Sequence, residues 1–328
     1  MLMRSITSNT VLCCVMLSLA IEAEGGRQSP DASSPSSPQL ESIDAQIRGA
    51  AAELLDGVEA RLRGCTNYRD VLRITLRVDG TDDARRMIDR HAPRRCALFV
   101  ADGSGSVGGP RRVAKYFPAA AMIYDGATLT LVDRSRSREN PAGRYQVLAT
   151  DGDLILTKAY AALPPGNEGL EHPLLGTLLR RSGDGDRGTR WLFAPFGRVD
   201  AITRREANGR AIITLAGTTG PDAIQGGGGV PPSALELDVD ETTGLPTELR
   251  VDATAQVRTM LLAMKPVNES PRSAIEITRA WQVFSFEDQS INEPDSPALA
   301  ERFSFRPVPG MKRVESFRDQ PAPAPATK

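Results

Sequence analysis

Histidine is almost missing from this chain: His91 and His172 are the only two in 328 residues, which excludes a metal site built from several imidazoles. Cysteine is sparse too. Cys13 and Cys14 lie in an apolar run near the N-terminus, which leaves Cys65 and Cys96, and no CxxC pair supports a thioredoxin-like redox role. There is no excess of charge of either sign. Forty Lys and Arg against 41 Asp and Glu give a net charge of -1, which argues against the broadly cationic surface that nucleic-acid binding requires. Long apolar runs are also lacking. The one at 11–20, interrupted only by Ser18, falls short of the ~20 residues that span a bilayer.

What is present reads first as an export signal. Arg4 precedes the apolar run, and small residues follow at Ser18-Leu19-Ala20 and at Ala23-Glu24-Gly25, as a signal-peptidase site requires. Residues 1–23 are therefore expected to be a signal peptide and 24–39 a Ser/Pro-rich linker. A single domain is expected over 40–317 and a disordered Pro/Ala tail over 318–328. After signal cleavage the protein is expected to be exported and soluble, in a periplasm or similar extracytoplasmic compartment. There Cys65 and Cys96 have two readings. One is a disulfide closing a loop of about 30 residues and contributing ~3 kcal/mol; the other is two buried free thiols.

Apolar residues at Leu40, Ile43, Ile47, Ala50, Ala51, Leu54, Leu55, Val58 and Leu62 follow a 3–4 spacing that ends at Gly64, predicting one long amphipathic helix. Shorter helices are expected over 81–90 and 172–181, the second with Leu174, Leu175, Leu178 and Leu179 on one face. The remainder alternates with period two, as in Leu72, Ile74, Leu76, Val78 and in Leu235, Leu237, Val239. Asp125-Gly126 and Asn208-Gly209 each separate two such runs and predict two-residue hairpin turns. A longer turn is expected at Glu241-Thr242-Thr243-Gly244, and a long late strand over 275–286 carrying Trp281. About ten strands and one leading helix predict an α+β, mainly antiparallel fold in which a curved sheet wraps the helix.

Three patterns imitate catalytic or binding motifs. Gly103, Gly105 and Gly108 match GxGxxG, but Gly109-Pro110 and then Pro118 deny the helix that a dinucleotide site needs, so the stretch reads as a loop. Asp184 and Asp186 lack the further ligands of a calcium loop. Ser104 and Ser106 do not satisfy GxSxG, and His91 stands among Arg90 and Arg94, a poor setting for a general base. No nucleophile, base and orienting acid assemble, so no catalytic residue, metal or cofactor is assigned.

Taken in order, several segments resemble the periplasmic outer-membrane lipoprotein-carrier superfamily of LolA and LolB. Cys65-Thr66-Asn67-Tyr68-Arg69-Asp70 resembles that family's helix-then-Y-x-D segment, and the stretch from His91 through Pro93 to Leu98 its RP-x-x strand start. The hairpin from Met122 through Asp125-Gly126 to Asp133 is similar to the family's v-x-DGK hairpin, with Ala127 where Lys is preferred. Thr243-Gly244-Leu245-Pro246 resembles its TGLP turn, and the stretch from Phe303 through Phe305, Pro307 and Gly310 to Val314 its F-x-F-x-P-P-x-G segment.

The resemblance implies an unclosed half-barrel wrapped on the N-terminal helix and enclosing an apolar cavity for acyl chains. On that reading Leu129, Leu131, Leu237, Leu249, Val251, Ile277 and Trp281 are candidates to line the cavity. Leu174, Leu175, Leu178 and Leu179 form either a lid or a packed core helix. The function implied is a non-enzymatic exported carrier or chaperone that binds the acyl chains of lipoproteins or another amphiphile. Membrane-associated donor and acceptor proteins would be its partners, with no nucleic acid. The alternatives are an envelope lipid sensor acting through a regulatory protein partner and, further off, a hydrolase on a β scaffold.

Overall fold

A computed structural model describes residues 38–89, 94–103, 111–137, 140–149, 156–164, 172–179, 196–219, 233–263, 276–294 and 296–317. The expected signal peptide, the linker up to residue 37 and the Pro/Ala tail lie outside these residues, as do His91, Asp184, Asp186 and most of the glycine loop at 103–109. The chain begins with α1 (Pro38–Gly64), β1 (Asn67–Gly80), α2 (Asp82–Asp89), β2 (Arg94–Ala101) and β3 (Arg112–Tyr116). It continues through β4 (Ala120–Tyr124), β5 (Thr128–Asp133), β6 (Arg144–Ala149), α3 (Leu156–Ala161) and α4 (Leu175–Leu179). Then come β7 (Phe196–Ala207), β8 (Arg210–Thr219), β9 (Ala234–Asp240), β10 (Leu245–Asp252) and α5 (Thr254–Ala263). The last elements are β11 (Ile277–Ile291), α6 (Pro297–Arg302) and β12 (Lys312–Arg313).

The strands hydrogen-bond in the order β12-β6-β5-β4-β3-β2-β1-β11-β10-β9-β8-β7. The order starts and ends on different strands, so the sheet is unclosed. Every pair whose register is defined is antiparallel except β12 with β6. The fold is thus the mainly antiparallel, open-sheet class that the alternation predicts, with a long helix in front. Among the described residues twelve strands stand where about ten are expected; β3 and β12 are short stretches that show little period.

The chain divides into two units. The first holds α1 up to Arg63, β1 from Ile74, α2, β7 to β10, α5 and β11 up to Ser285. Among the α1 side chains described, Ala51, Leu55, Val58 and Leu62 are buried together with Glu59; Ile47 and Leu54 are half-buried, and Ala50 of the predicted stripe is exposed. Near its C-terminus Arg61 reaches the β9–β10 turn, where a Cβ on Gly244 would lie 3.0 Å from the guanidinium. Asn208 and Gly209 have φ of 53° and 73°, the positive pair that a two-residue turn demands. The Asp125-Gly126 turn of the second unit departs from that expectation. Only Gly126 takes positive φ, at 104°, and the Asp125 carboxylate accepts from the amides of Ala127 and Thr128 at 2.9 and 2.8 Å. The Asp125 amide also donates to the Thr128 carbonyl at 3.2 Å and Tyr124 pairs with Leu129, so the two turn residues are Gly126 and Ala127, one position later than the dipeptide predicts.

Cross-strand register gives the first unit two chemically different faces. Ile202, Leu215, Leu237, Leu249 and Phe284 face one another in a row, beside Gly217, Leu235, Val251 and Gln282. A Cβ on Gly217 would collide with the Arg198 carbonyl, so the approach of β7 requires glycine there. The opposite face carries Arg250 at the centre of an ion network: Glu236 at 2.7 Å, Asp238 at 2.9 Å and Glu248 at 2.6 Å, with Arg205 at 2.6 Å from Asp238 and Arg77 at 3.0 Å from Glu248. Ile277 belongs to a separate small cluster with Ala84, Ala253, Val257 and Ala280.

Burial by itself would raise the Asp238 carboxyl, but hydrogen bonds from Arg250 and Thr214 and the charges of Arg250 and Arg205 outweigh it and hold the group below the usual carboxylate range. The stability this group contributes is therefore present above its unfolded pKa of ~3.9 and is lost as pH falls through its lower folded value. We expect urea midpoints to drop as pH falls below ~4, and Asp238→Asn to flatten that drop while costing about 3 kcal/mol at neutral pH. Denaturant titrations at stepped pH measure both effects.

Candidate functional site

The second unit comprises residues 64–73, 94–181 and 286–328. Its register builds two rungs on one face. The first runs Leu98, Lys115, Met122, Leu131 and Gln146 across β2 to β6; the second runs Val100, Val113, Tyr124, Leu129 and Leu148. Leu131 is fully buried and Leu129 nearly so. The other face carries Ala101, Ala114, Ala121, Ile123 and Val132, and it is covered by Phe303, with Leu299, Phe305 and Met311 packed against the same cluster. Both sides of this part of the sheet are therefore apolar, which is why its strands alternate less cleanly than β9 does.

On the Leu131 side of the sheet, Lys115 is bonded to Tyr160 of α3 and Arg111, just before β3, to the Leu178 carbonyl of α4. Leu174, Leu175 and Leu178 are buried, and Leu179 is half-buried. Of the helix expected over 172–181, residues 172–174 are not helical and Leu175–Leu179 are, while 180 and 181 lie outside the described residues. Its two ends are held by polar contacts. At the N-terminal end, His172 Nε2 donates to Asp70 on β1, at 3.0 and 2.9 Å from the two carboxylate oxygens. Its Nδ1 accepts the Leu174 amide at 3.2 Å, which places the proton on Nε2. At the C-terminal end, the buried Arg111 guanidinium donates to the Leu178 carbonyl and, at 2.6 Å, to the Cys65 carbonyl; it also pairs with Asp102 at 3.2 Å.

The His172 contact is part of a longer chain of polar groups. Tyr68 donates to Asp70 at 2.8 Å and accepts from Gln289 at 3.0 Å. Burial, reinforced by the Asp70 charge, pushes the Tyr68 phenol well above its ordinary value, so it remains a donor. Beyond His172, its backbone amide donates to the Tyr160 hydroxyl at 3.4 Å, and the fully buried Lys115 ammonium donates to the same oxygen at 3.0 Å. Lys115 also lies 5.1 and 4.9 Å from the ring centroids of Phe117 and Tyr160. Both His172 nitrogens are occupied, so this imidazole is placed to fasten the chain rather than to shuttle a proton. Among the described residues, no three His, Cys, Asp or Glu side chains gather as a metal-ligand set.

The seven residues named as cavity candidates are divided between the two units, Leu129 and Leu131 in the second and the other five in the first. Leu129 and Leu131 lie on adjacent rungs of the second unit. Leu237, Leu249 and Val251 share a face of the first unit, and Ile277 sits in the small cluster with α2 and α5 residues. Trp281 pairs with Asp252 and so points to the opposite face from Leu249 and Val251, under the Arg279 guanidinium at 4.1 Å. The reason is parity: positions 281 and 284 of a strand cannot face the same way. Cys65 and Cys96 are buried thiols that are not joined in a disulfide, the second of the two readings, and burial raises both above the ordinary thiol value.

The pair Asp70 and His172, 102 residues apart, gives no local signal in sequence. The nearest hint is Tyr68-Arg69-Asp70, where two polar side chains point to one side of a strand start that is otherwise becoming apolar.

No family model and no curated protein sequence matches the chain. Solved structures do. The chain is similar to LprF from Mycobacterium bovis, at 10% identity and a TM-score of 0.37, over 76% of this chain and 95% of that one. It is similar to a LolA superfamily protein from Nitrosomonas europaea, at 12% identity and a TM-score of 0.26, over 78% and 97%. It is also similar to a chain of the Pseudomonas aeruginosa MucA/MucB complex, at 11% identity and a TM-score of 0.33, over 76% and 60%. Among the described residues no helix is long and apolar enough to cross a membrane.

Removing one partner of a buried hydrogen-bonded pair leaves the other dry and unpaired. Asp70→Ala is expected to cost about 3 kcal/mol of unfolding free energy and His172→Ala about 2 kcal/mol, with the double variant less than additive in a denaturant cycle. The two thiols should react with a water-soluble disulfide reagent only as fast as the protein opens, so titration in urea should release both together with the unfolding transition.

Proposed function

We propose that the protein is a non-enzymatic, exported carrier or chaperone for acyl chains, those of lipoproteins or of another amphiphile, and that the Leu131 face of the second unit holds them. The observation that carries this reading is the way α4 is fastened. Leu174 and the three leucines of the helical turn that follows stand at an apolar face, yet both ends of the segment are held by directional polar contacts, His172 to Asp70 and Arg111 to the Leu178 carbonyl. A segment meant only to fill the core needs no such ties. One that must leave and return to a single position does, because polar contacts define one closed state where apolar packing tolerates many.

On this reading, 172–179 is a closure. Lifting it exposes Leu129, Leu131 and Met122, and each acyl methylene that replaces the leucines there contributes ~0.8 kcal/mol, so affinity needs no reacting group. Leu237, Leu249 and Val251 are an apolar face of the first unit that acts as an independent candidate surface. Trp281, on the charged side, takes no part.

A fluorescent fatty acid tests the proposal. The wild type should bind it, and native mass spectrometry of protein taken from cells should show an extractable acylated species. Arg111→Ala should speed probe exchange roughly tenfold, since it removes a charge-assisted tie of about 1.5 kcal/mol. Leu131→Glu should abolish binding and Trp281→Glu should leave it unchanged; Leu129→Trp, which narrows the same face without burying a charge, guards against misfolding of the first variant. Failure of the wild type to bind, or loss of binding in Trp281→Glu alone, overturns the assignment. Binding without any transfer to acceptor vesicles or proteins would favour the sensor alternative over the carrier.

A further inference from the structure

Among the described residues, Val308 is the one large apolar side chain standing open to solvent, at 55% exposure. The backbone holds it there. The Met311 amide donates to the Val308 carbonyl at 3.1 Å, with Pro309 and Gly310 between them and Gly310 at φ +84°. This is the turn for which proline followed by glycine is best suited. Downstream the chain is tied to β6, through the Lys312 amide to Gly143 at 3.2 Å and the Val314 amide to Tyr145 at 2.8 Å. Upstream, Phe305 packs on Tyr145 with ring centroids 5.1 Å apart. Pro307, Val308 and Pro309 thus form a braced apolar tip. A second turn, 140–143, lies alongside, with Ala142 3.5 Å from where a Gly310 Cβ would be and Pro141 exposed.

Charge around the tip is one-sided. Arg306, Lys312 and Arg313 flank it and are exposed, and Arg134 and Arg136 are exposed in the loop that leads to the second turn. Across the described residues 134–137, 140–143 and 304–315, Glu315 is the only acidic side chain. In a chain whose net charge is -1, this is a local concentration rather than a general property.

We infer that this tip docks the protein on an anionic lipid bilayer, with Val308 and its two prolines entering the headgroup layer and Arg306, Lys312 and Arg313 against lipid phosphates. Basic side chains near an anionic leaflet each add to attraction, and a shallow apolar insertion supplies the part that salt does not screen. The inference stands on the tip alone and does not depend on acyl binding by the Leu131 face.

The test is flotation of the full chain with vesicles of phosphatidylcholine, with and without 30% phosphatidylglycerol, at low and high salt. Wild type should float with the anionic vesicles and respond to salt. Arg306→Ser with Arg313→Ser should weaken binding by roughly 25-fold, about fivefold per cation removed. Val308→Asp should weaken it about tenfold and leave the remainder fully salt-sensitive. These side chains are exposed, so circular dichroism and fatty-acid binding should not change, which separates failure here from failure of the carrier reading. The N-terminal apolar run is common to all variants, so differences among them report the tip. Equal binding by wild type and both variants, or equal binding to neutral vesicles, overturns the inference. So does capture by an acidic protein without any vesicle binding.

Discussion

A β-strand has two sides, and in the second unit both sides are apolar. That constraint governs the rest of its structure. One side, centred on Ile123 and Val132, is covered by residues near the C-terminus, with Phe303 in the cluster and Leu299, Phe305 and Met311 against it. Arginines fill the gaps over the rings, Arg112 over Phe303 at 4.7 Å and Arg302 over Phe99 at 5.2 Å. The side centred on Leu131 is met by short helices. The first unit resolves the same constraint differently: it keeps one face of leucine and gives the other to Arg250 and its carboxylates.

Polar groups in dry surroundings are the second theme. Asp70 and His172 are wholly enclosed, so their contact gains little net free energy over a pair of well-packed apolar side chains, and its value lies in direction. The imidazole has one donor and one acceptor, each matched to a single partner, so the segment 172–174 has one position in which both are satisfied. Arg111 imposes the same condition from the far end of α4. A region that opens and closes as a unit needs such an address, and apolar packing alone does not supply it.

The sequence reveals elements better than it reveals partnerships. The α1 helix, the alternation of β9 and the Asn208-Gly209 turn follow from spacings a few residues long, and each is found where the spacing puts it, although Ala50 of the predicted α1 stripe is exposed. The turn expected at Asp125-Gly126 falls one position later, on Gly126-Ala127, because a carboxylate cap is invisible to a dipeptide rule. Leu129 and Leu131 are legible as neighbours because they share a strand. That Trp281 and Leu249 face opposite ways is not legible, because register between strands, which decides facing, is not written in either strand alone. The fastening of α4 is hidden for the same reason: His172 and Asp70 meet only once the sheet exists, and neither carries a local pattern that distinguishes it from a surface residue.

The unclosed sheet has a further consequence at its two borders. An open border strand offers unpaired amides and carbonyls to any other chain, the starting point of intermolecular β-assembly. The two borders are guarded by different means. On β7 the guard is charge, with Arg198, Arg204 and Arg205 spaced along the strand and ion-paired to Asp200, Glu241 and Asp238. On β6 the guard is the two-residue parallel strand β12, laid along the border by the same C-terminal residues that cover the Ile123 side. A protease that trims the chain back to α6 would therefore strip away the β6 guard together with Phe303, Phe305 and Met311. Exposing a free border and an apolar surface in one cut makes the integrity of the C-terminus a condition of colloidal solubility as well as of folding.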